Sequence, residues 1–582
     1  MSDTKSAKAE PLDLVARLRE LAPHVDELIA CVVLALSFVA MYRRLSYGVD
    51  PADEAFALAI TQRFSLGDRP YIDEFNLRQT AGLLTTPLYW LYLKTHASTD
   101  GVVYFMRLVY FAVQCVVAWS VYRLAERRVP RSYAIVAAAM PLTFVPFGMP
   151  VANYNGLGAM LLTLGVFTVL RALLDDSSRK AMVIAGACNG LACIAYPPLA
   201  VPVTLIVAST FVLPLAEGDE RPRWRRTLDF VIGIAVVGIP FMFVLVPGLP
   251  GIKKALEYEA MTTRARTLDK VKGVIMAVNH LSPAAPSTLT TLGVAGLIAA
   301  YSPALRKAVY AFLIVFLAYY WSDVLPDARA QVGPNILTLH LSIYLGLLAG
   351  LFACFVPRGL VQRSVVLAAW LPSVLAGLIM ATASDNLGCM NGGLGLFAAS
   401  VLAMVAAPMG IDSKESTSGS ALGPVQRACA VAVMALLPLG AVSVNAGTTY
   451  SDGAIGPDMQ TVHVGPFRGL KGTPQKVARV EELTRELGPL AHPGDNMLSY
   501  YDFPGAYLVT GTRPGLQTVW TDRRARLGPM LPYWRTHRTG QGVVLVITGN
   551  PGTSPELEAL VEVPERLLKD RGWFKVYREP PP

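Results

Sequence analysis

Thirteen stretches of the chain are apolar almost without interruption. Each approaches the length of about 20 residues that a helix needs to cross ~30 Å of hydrocarbon. They cover roughly residues 27–46, 102–124, 132–150, 154–174, 180–197, 199–215, 227–247, 286–303, 307–325, 336–356, 363–383, 393–409 and 426–443. The fifth and sixth are short and meet at Tyr196-Pro197-Pro198. A polar arm, residues 1–26, precedes the first run and has a helical pattern over Leu12–Leu21. Three polar segments are long: 47–101, 248–285 and 444–582. In the last of these the periodicity changes. Pro474–Leu487 and Pro555–Leu568 read as amphipathic helices, whereas Asn496–Tyr501, Gly542–Ile547 and Trp573–Tyr577 read as short strands, with Gly and Pro between them. The pattern predicts an all-α polytopic membrane protein with about 13 spans over 27–443. A small α/β domain over 444–582 completes it.

Composition agrees with that class. Of the 582 residues 53% are hydrophobic and 16% charged, against ~25% charged in an ordinary soluble domain, and mean hydropathy is +0.43. A disordered, fibrous or plainly soluble chain is excluded. The net charge of +9 fits basic cytoplasmic loops facing anionic lipid, and no nucleic-acid-binding pattern accompanies it.

The distribution of basic residues sets the expected orientation. With the N-terminus inside, every inside loop carries Lys or Arg: Arg127, Arg128 and Arg131; Arg179 and Lys180; Arg221 to Arg226; Arg306 and Lys307; Arg358 and Arg363; Lys414 and Arg427. An odd number of spans then puts the C-terminus outside. No cleavable leader is expected, since Met1–Glu10 is polar and no prompt apolar core follows, so the first run stays as an anchor in the inner membrane. The seven cysteines show no CxxC pair and none follows Cys429, so the tail is expected to fold without disulfides.

The cytoplasmic loops are too short to build a site, so any chemistry faces outward. The segment 47–101 is the richest in it. Asp50, Asp53 and Glu54 follow the first span at once, Asp53 standing where it would N-cap a helix over Ala55–Phe64. A helix start also favours the ionised form of Asp53. Asp73 and Glu74 come twenty residues later, before an apolar helix over Thr80–Leu93 that ends in the interfacial aromatics Tyr89, Trp90 and Tyr92. Carboxylates at a membrane surface need a partner or a use. They read either as caps and solvated acids or as general bases for a sugar or lipid hydroxyl.

This succession resembles the C-type glycosyltransferase superfamily: an acidic pair after span one, an amphipathic helix, the Gly67-Asp68-x-Pro70 turn, a second acidic spot, and an apolar helix with Pro87 and Trp90. The lipid A aminoarabinose transferases and protein O-mannosyltransferases are the most similar members. The motifs cover about residues 27–125, and the rest is similar in architecture. Aminoarabinose transferases carry Glu-Lys-Pro-Pro at the second acidic spot, where this chain has Asp73-Glu74-Phe75-Asn76. The resemblance implies a polyprenyl-phosphate sugar donor, and Asp53 as the base or the group that orients the acceptor, with Glu54 beside it. Asp73 or Glu74 would take the second acidic role. A donor phosphate needs cations, and outward candidates are Arg63, Arg78, Arg264, Arg266, Lys270, Lys272 and His280. Asn153 and Asn155, and Asp385 and Asn386, are able to bond sugar hydroxyls or to serve as caps and turns.

The expected activity is therefore an inverting membrane glycosyltransferase. Its partners are a polyprenyl-phosphate sugar, membrane lipids, and a lipid, glycan or protein acceptor. No cofactor is expected, and the sequence leaves a divalent cation open. The alternative is a lipid or glycan transporter or flippase, although internal repeats are missing.

Overall fold

The computed structural model describes residues 14–175, 178–214, 222–262, 308, 337–354, 356, 359–383, 388–410, 423–501, 503–521, 528–537, 542–547 and 564–579. The apolar runs expected over 286–303 and 307–325 lie outside these residues, Ala308 aside. The other eleven all fall on helices. These are α1 (Leu14–Arg44), α4 (Val102–Ala125), α5 (Arg131–Leu142), α6 (Tyr154–Leu174), α7 (Arg179–Ala195), α8 (Ala200–Val212), α9 (Arg223–Leu245), α11 (Leu337–Ala353), α12 (Leu360–Thr382), α13 (Gly392–Met409) and α14 (Pro424–Gly447). Seven helices among the described residues are long and apolar enough to cross a membrane. The chain is a multi-pass membrane protein.

Most of α13 is buried, packed against α11, α12, α6 and α5. In contrast α9 exposes Val236, Ile239, Met242 and Phe243, as a lipid-facing helix does. Past Leu245 it runs through a single 3-10 turn, Val246–Gly248, into α10 (Leu249–Thr262), beyond the apolar stretch.

The third span departs from expectation. The helix over 132–150 stops at Leu142, and its 12 residues rise only about 18 Å. The chain goes on as irregular, buried backbone to Asn153. Pro141 and Pro146 disfavour a continuous helix, but the freed carbonyls also need donors at this depth. Gln114 of α4 gives its side-chain N–H to the carbonyls of Pro141, Leu142 and Phe144 at 3.1, 3.2 and 2.8 Å. Tyr110 donates to Phe144, Asn445 of α14 to Thr143, and Arg44 to Gly148. The break is thus a tertiary feature, closed by side chains from three other helices.

Two further helices, α2 (Asp53–Ser65) and α3 (Thr80–His96), pack together in the first loop. Leu88, Trp90 and Leu91 of α3 are exposed while Thr85 and Tyr89 point inward, which suits a helix lying at the membrane interface. The turn between the two helices is covered by α10. A Cβ on Gly248 would meet the carbonyl oxygen of Pro70 at 2.0 Å, and one on Gly251 that of Tyr71 at 1.8 Å, so backbone approaches backbone there.

The tail begins with two small hairpins, β1 (Thr448–Thr449) with β2 (Gly453–Ala454) and β3 (Gln460–Thr461) with β4 (Lys471–Gly472). Then come α15 (Pro474–Leu487), β5 (Asn496–Tyr500), α16 (Gly505–Thr510), β6 (Arg513–Pro514), α17 (Leu531–His537), β7 (Val543–Ile547), β8 (Leu567–Asp570) and β9 (Phe574–Arg578). The five strands β5 to β9 form one sheet in the order β6-β5-β7-β9-β8. It is parallel at β6/β5/β7 and antiparallel at β7/β9/β8. Helix α15 and the strands at Asn496, Val543 and Phe574 match the sequence pattern. The helix expected over Pro555–Leu568 does not hold at its described end, where a 3-10 turn, Pro564–Arg566, leads into β8. Leu567 faces a neighbouring strand, and that pairing overrides the local helical periodicity. Residues 555–563 lie outside the described ones.

The tail is bonded along its length to the first loop, which puts both on one side of the helix bundle. Gln62 donates to the carbonyls of Tyr507 and Thr512 at 2.7 and 2.8 Å, Phe75 N–H to Gln517, Gln517 to Ile72, and Gly505 N–H to Pro51. The aromatic loop that starts at Tyr500 therefore abuts the loop after span one.

Candidate active site

The acidic cluster sits where α1 ends. Arg44, buried, donates to the carbonyls of Tyr47 and Gly148 and folds the chain back over the bundle, while Arg43 is exposed. The tail grips the next residues. Asp452 accepts from Val49 N–H at 2.7 Å and from Thr473 N–H and hydroxyl, with Lys476 3.6 Å away. Ser451 donates to Val49 O, and the backbones of Gly48 and Lys471 are hydrogen-bonded.

Glu54 is inaccessible. Its two oxygens take Nε and Nη2 of Arg107 at 2.6 and 2.5 Å, a bidentate pair with both side chains buried. Arg107 also donates to the carbonyls of Leu45, Tyr47 and Gly48. Local pattern does not mark this arginine, six residues into an apolar run, as a partner of the acidic cluster. A lone cation inside a span is itself a signal of a buried acid.

Asp53 is not the N-cap. The cap position is Ala52, whose side chain caps nothing, and the carboxylate of Asp50 accepts from Ala52 N–H at 3.1 Å and Glu54 N–H at 2.9 Å. Asp53 stands in the first turn, half-buried. Tyr450 donates to its Oδ2 at 2.5 Å, and its Oδ1 has no hydrogen bond among the described residues. Burial raises the pKa of Asp53, with the Tyr450 hydroxyl working against the rise. The helix-start effect expected from the sequence is overridden by loss of water.

Asp50 is pushed up to about 7, first by burial and then by the neighbouring Asp53 charge. A carboxyl raised from its usual value near 4 favours the fold below that value and ceases to do so as pH rises through 7. Asp50→Asn, whose single amide oxygen keeps one of the two N–H bonds, removes the titrating group and is expected to flatten the dependence of Tm on pH between 5 and 8. Scanning fluorimetry across that range checks this, and a parent whose Tm climbs from pH 6 to 8 would contradict it.

The second acidic spot is a clamp between loop and tail. Glu74 is fully buried and accepts from Arg63 Nη1 at 3.2 Å, Asn76 N–H at 3.0 Å and Val519 N–H at 3.1 Å. Burial pushes it up to about 7 in spite of Arg63. Asp73 accepts from Arg69 N–H at 2.7 Å and from the Tyr533 hydroxyl at 3.0 Å. Arg63 is buried too, with Nε on Asp68 at 2.8 Å and Nη1 on Leu516 O at 2.8 Å. Its guanidinium is taken up by this network.

Arg78 is placed otherwise. It precedes α3, is about a third exposed, and lies over the Tyr154 ring 5.5 Å from the centroid. Nη2 donates to Ala383 O at 2.7 Å and to Glu259 of α10 at 3.4 Å. Asn153 caps α6 by accepting from Gly156 N–H at 2.7 Å, while Asn155 is half-buried beside Tyr154. Arg264, Arg266, Lys270, Lys272, His280, Asp385 and Asn386 lie outside the described residues. Among those described, no three His, Cys, Asp or Glu side chains gather as metal ligands. Tyr450, Asp452 and Tyr533 come from the tail, and nothing in the local sequence marks them.

No family model and no curated protein sequence matches the chain. Among solved structures, the Archaeoglobus fulgidus oligosaccharyltransferase tethered with an acceptor peptide containing the NVT sequon overlaps with a TM-score of 0.46. The identity is 12%, over 89% of this chain and 69% of that one. ArnT from Cupriavidus metallidurans in the apo state overlaps with a TM-score of 0.40 at 15% identity, over 95% of this chain and 97% of that one. The same protein bound to undecaprenyl phosphate gives 0.41 at 14% identity, over 95% and 97%.

Proposed function

We propose that the chain is a C-type membrane glycosyltransferase that moves a sugar from a polyprenyl-phosphate donor to a lipid, glycan or protein hydroxyl on the outer face of the inner membrane. In this reading the N-terminus is cytoplasmic, and the first loop and tail face outward. The observation that carries it is the state of the four acids. Glu54, Asp73 and Glu74 have their oxygens engaged by protein donors, whereas Asp53 keeps Oδ1 open.

Asp53 is then the base. The acceptor O–H gives its proton to Oδ1 while the oxygen forms a bond to the anomeric carbon. The bond from that carbon to the phosphate oxygen breaks, and the electron pair leaves with the phosphate. Attack opposite the leaving group inverts the anomeric centre. A stable phosphate leaving group asks of the protein mainly positioning and one proton acceptor, and partial burial makes Asp53 a stronger base. Arg78 supplies the cation for the phosphate, which takes the place of Glu259 on its guanidinium. Arg63, spent on Asp68 and Glu74, has no part in this. Asn155 beside Tyr154 is a sugar contact, and Asn153 serves as a cap.

The reading is tested with the purified protein in phosphatidylcholine nanodiscs. Undecaprenyl phosphate should bind more tightly than undecaprenol, and Arg78→Gln should reduce that preference about tenfold or more, the worth of one charge-assisted hydrogen bond. Radiolabelled sugar should pass from undecaprenyl-phosphate-linked arabinose, mannose or glucose to a whole envelope fraction. Equal binding of alcohol and phosphate, with no transfer from any donor, would overturn the reading.

A further inference from the structure

The contact between Tyr450 and Asp53 joins residues 397 apart in sequence, and the flanking bonds show that it is built. Residues 450 to 452 form the turn between β1 and β2. On one side of Tyr450, Thr449 is buried and pairs with Gly453. On the other, Ser451 bonds Val49 O and Asp452 bonds Val49 N–H. Val49 is itself buried and leads directly into Asp50-Pro51-Ala52-Asp53. The turn is therefore fixed to the segment that delivers Asp53, with little freedom for the tyrosine between two anchors. Tyr450 is 40% exposed, so packing alone does not require its hydroxyl.

The other charged groups nearby are already paired or capped. Glu54 is held by Arg107, Asp452 faces Lys476, Arg44 bonds carbonyls, and Asp50 accepts two backbone N–H groups. Tyr450 is thus the one side-chain donor on Asp53 among the described residues. We infer that Tyr450 is a positioning residue: its hydroxyl fixes Oδ2 of Asp53 and so turns the charged Oδ1 toward the acceptor. This deepens the proposed role of Asp53 and rests on it for its catalytic meaning, but the contact can be tested apart from activity.

Tyr450→Phe keeps the ring and removes the donor. A donor to the charged form favours that form, so its loss should raise the pH at which Asp53 takes up a proton by about one unit. Carbodiimides add to protonated carboxyl groups, so the pH dependence of Asp53 labelling, read by peptide mass spectrometry, reports this directly. In sugar transfer from the undecaprenyl-phosphate donors, the acid limb of kcat/KM should move up by the same amount, with activity recovered at alkaline pH and Tm unchanged. A labelling curve that stays with the parent overturns the inference, and so does an equal loss of activity at every pH. If Asp53→Asn transfers sugar as well as the parent, the catalytic reading fails, while the labelling curve still decides whether Tyr450 sets the protonation of Asp53.

Discussion

Asp53→Asn is expected to lower the rate of sugar transfer by roughly 10²–10⁴-fold, the usual worth of a positioned proton acceptor, with Tm close to the parent. The two readouts separate because Asp53 has no structural task that Asn cannot perform. Helix α2 is capped by Asp50, and an amide oxygen still accepts from Tyr450. Only the charge is lost. Parallel transfer assays and thermal scans on purified Asp53→Asn decide it. A variant as active as the parent would leave Asp53 as an ordinary first-turn residue. Glu54→Gln is the informative contrast, since it weakens a buried pair and should lower Tm first.

The largest effect on stability is expected at Arg107. Its guanidinium serves both oxygens of Glu54 and three backbone carbonyls, all in the turn that carries the acidic cluster. Removing one partner of a buried pair strands the other charge, which costs about 3–5 kcal/mol. Arg107→Ala should therefore unfold markedly earlier than the parent, or fail to accumulate in the membrane. Arg107→Met combined with Glu54→Gln leaves no stranded charge and should recover part of the loss, although the carbonyls remain without a donor. Fluorescence-detected chromatography after graded heating ranks the variants. An Arg107→Ala protein with the parent's Tm would refute the anchoring role.

These residues show where sequence reading reached and where it stopped. Apolar runs mark helices because lipid imposes one periodic requirement over a fixed length, and eleven of the runs could be matched to helices for that reason. Segment 143–153 escaped because its carbonyls find donors on α1, α4 and α14, which local pattern does not encode. Asp53 was read as a cap because two carboxylates three residues apart both fit the start of α2. The choice fell to Asp50 through the path of the chain after Arg44. The two acidic spots of the first loop were legible as a group, but the division of Glu54, Asp73 and Glu74 as anchors from Asp53 with its open oxygen was not. That division depends on Arg107, Val519, Tyr533 and Tyr450, which lie 53 to 460 residues away from their partners. Arg63 carried the appearance of a phosphate ligand for the same reason: its acid partners are close in sequence, yet the tail that seals them in is not.

The bond between Val49 and Asp452 spans 403 residues, and this separation sets an order of events during synthesis. At about 5–20 residues per second, the acidic loop leaves the ribosome roughly 20–80 s before the hairpin that clasps it. Through that interval Asp53 has no tyrosine, Val49 has no partner from the tail, and the clamp at Glu74 is open. The newborn protein is thus a membrane bundle whose acidic loop lacks its tail partners. The loop gains these partners only when the tail, made after every described transmembrane helix, returns to the first polar segment.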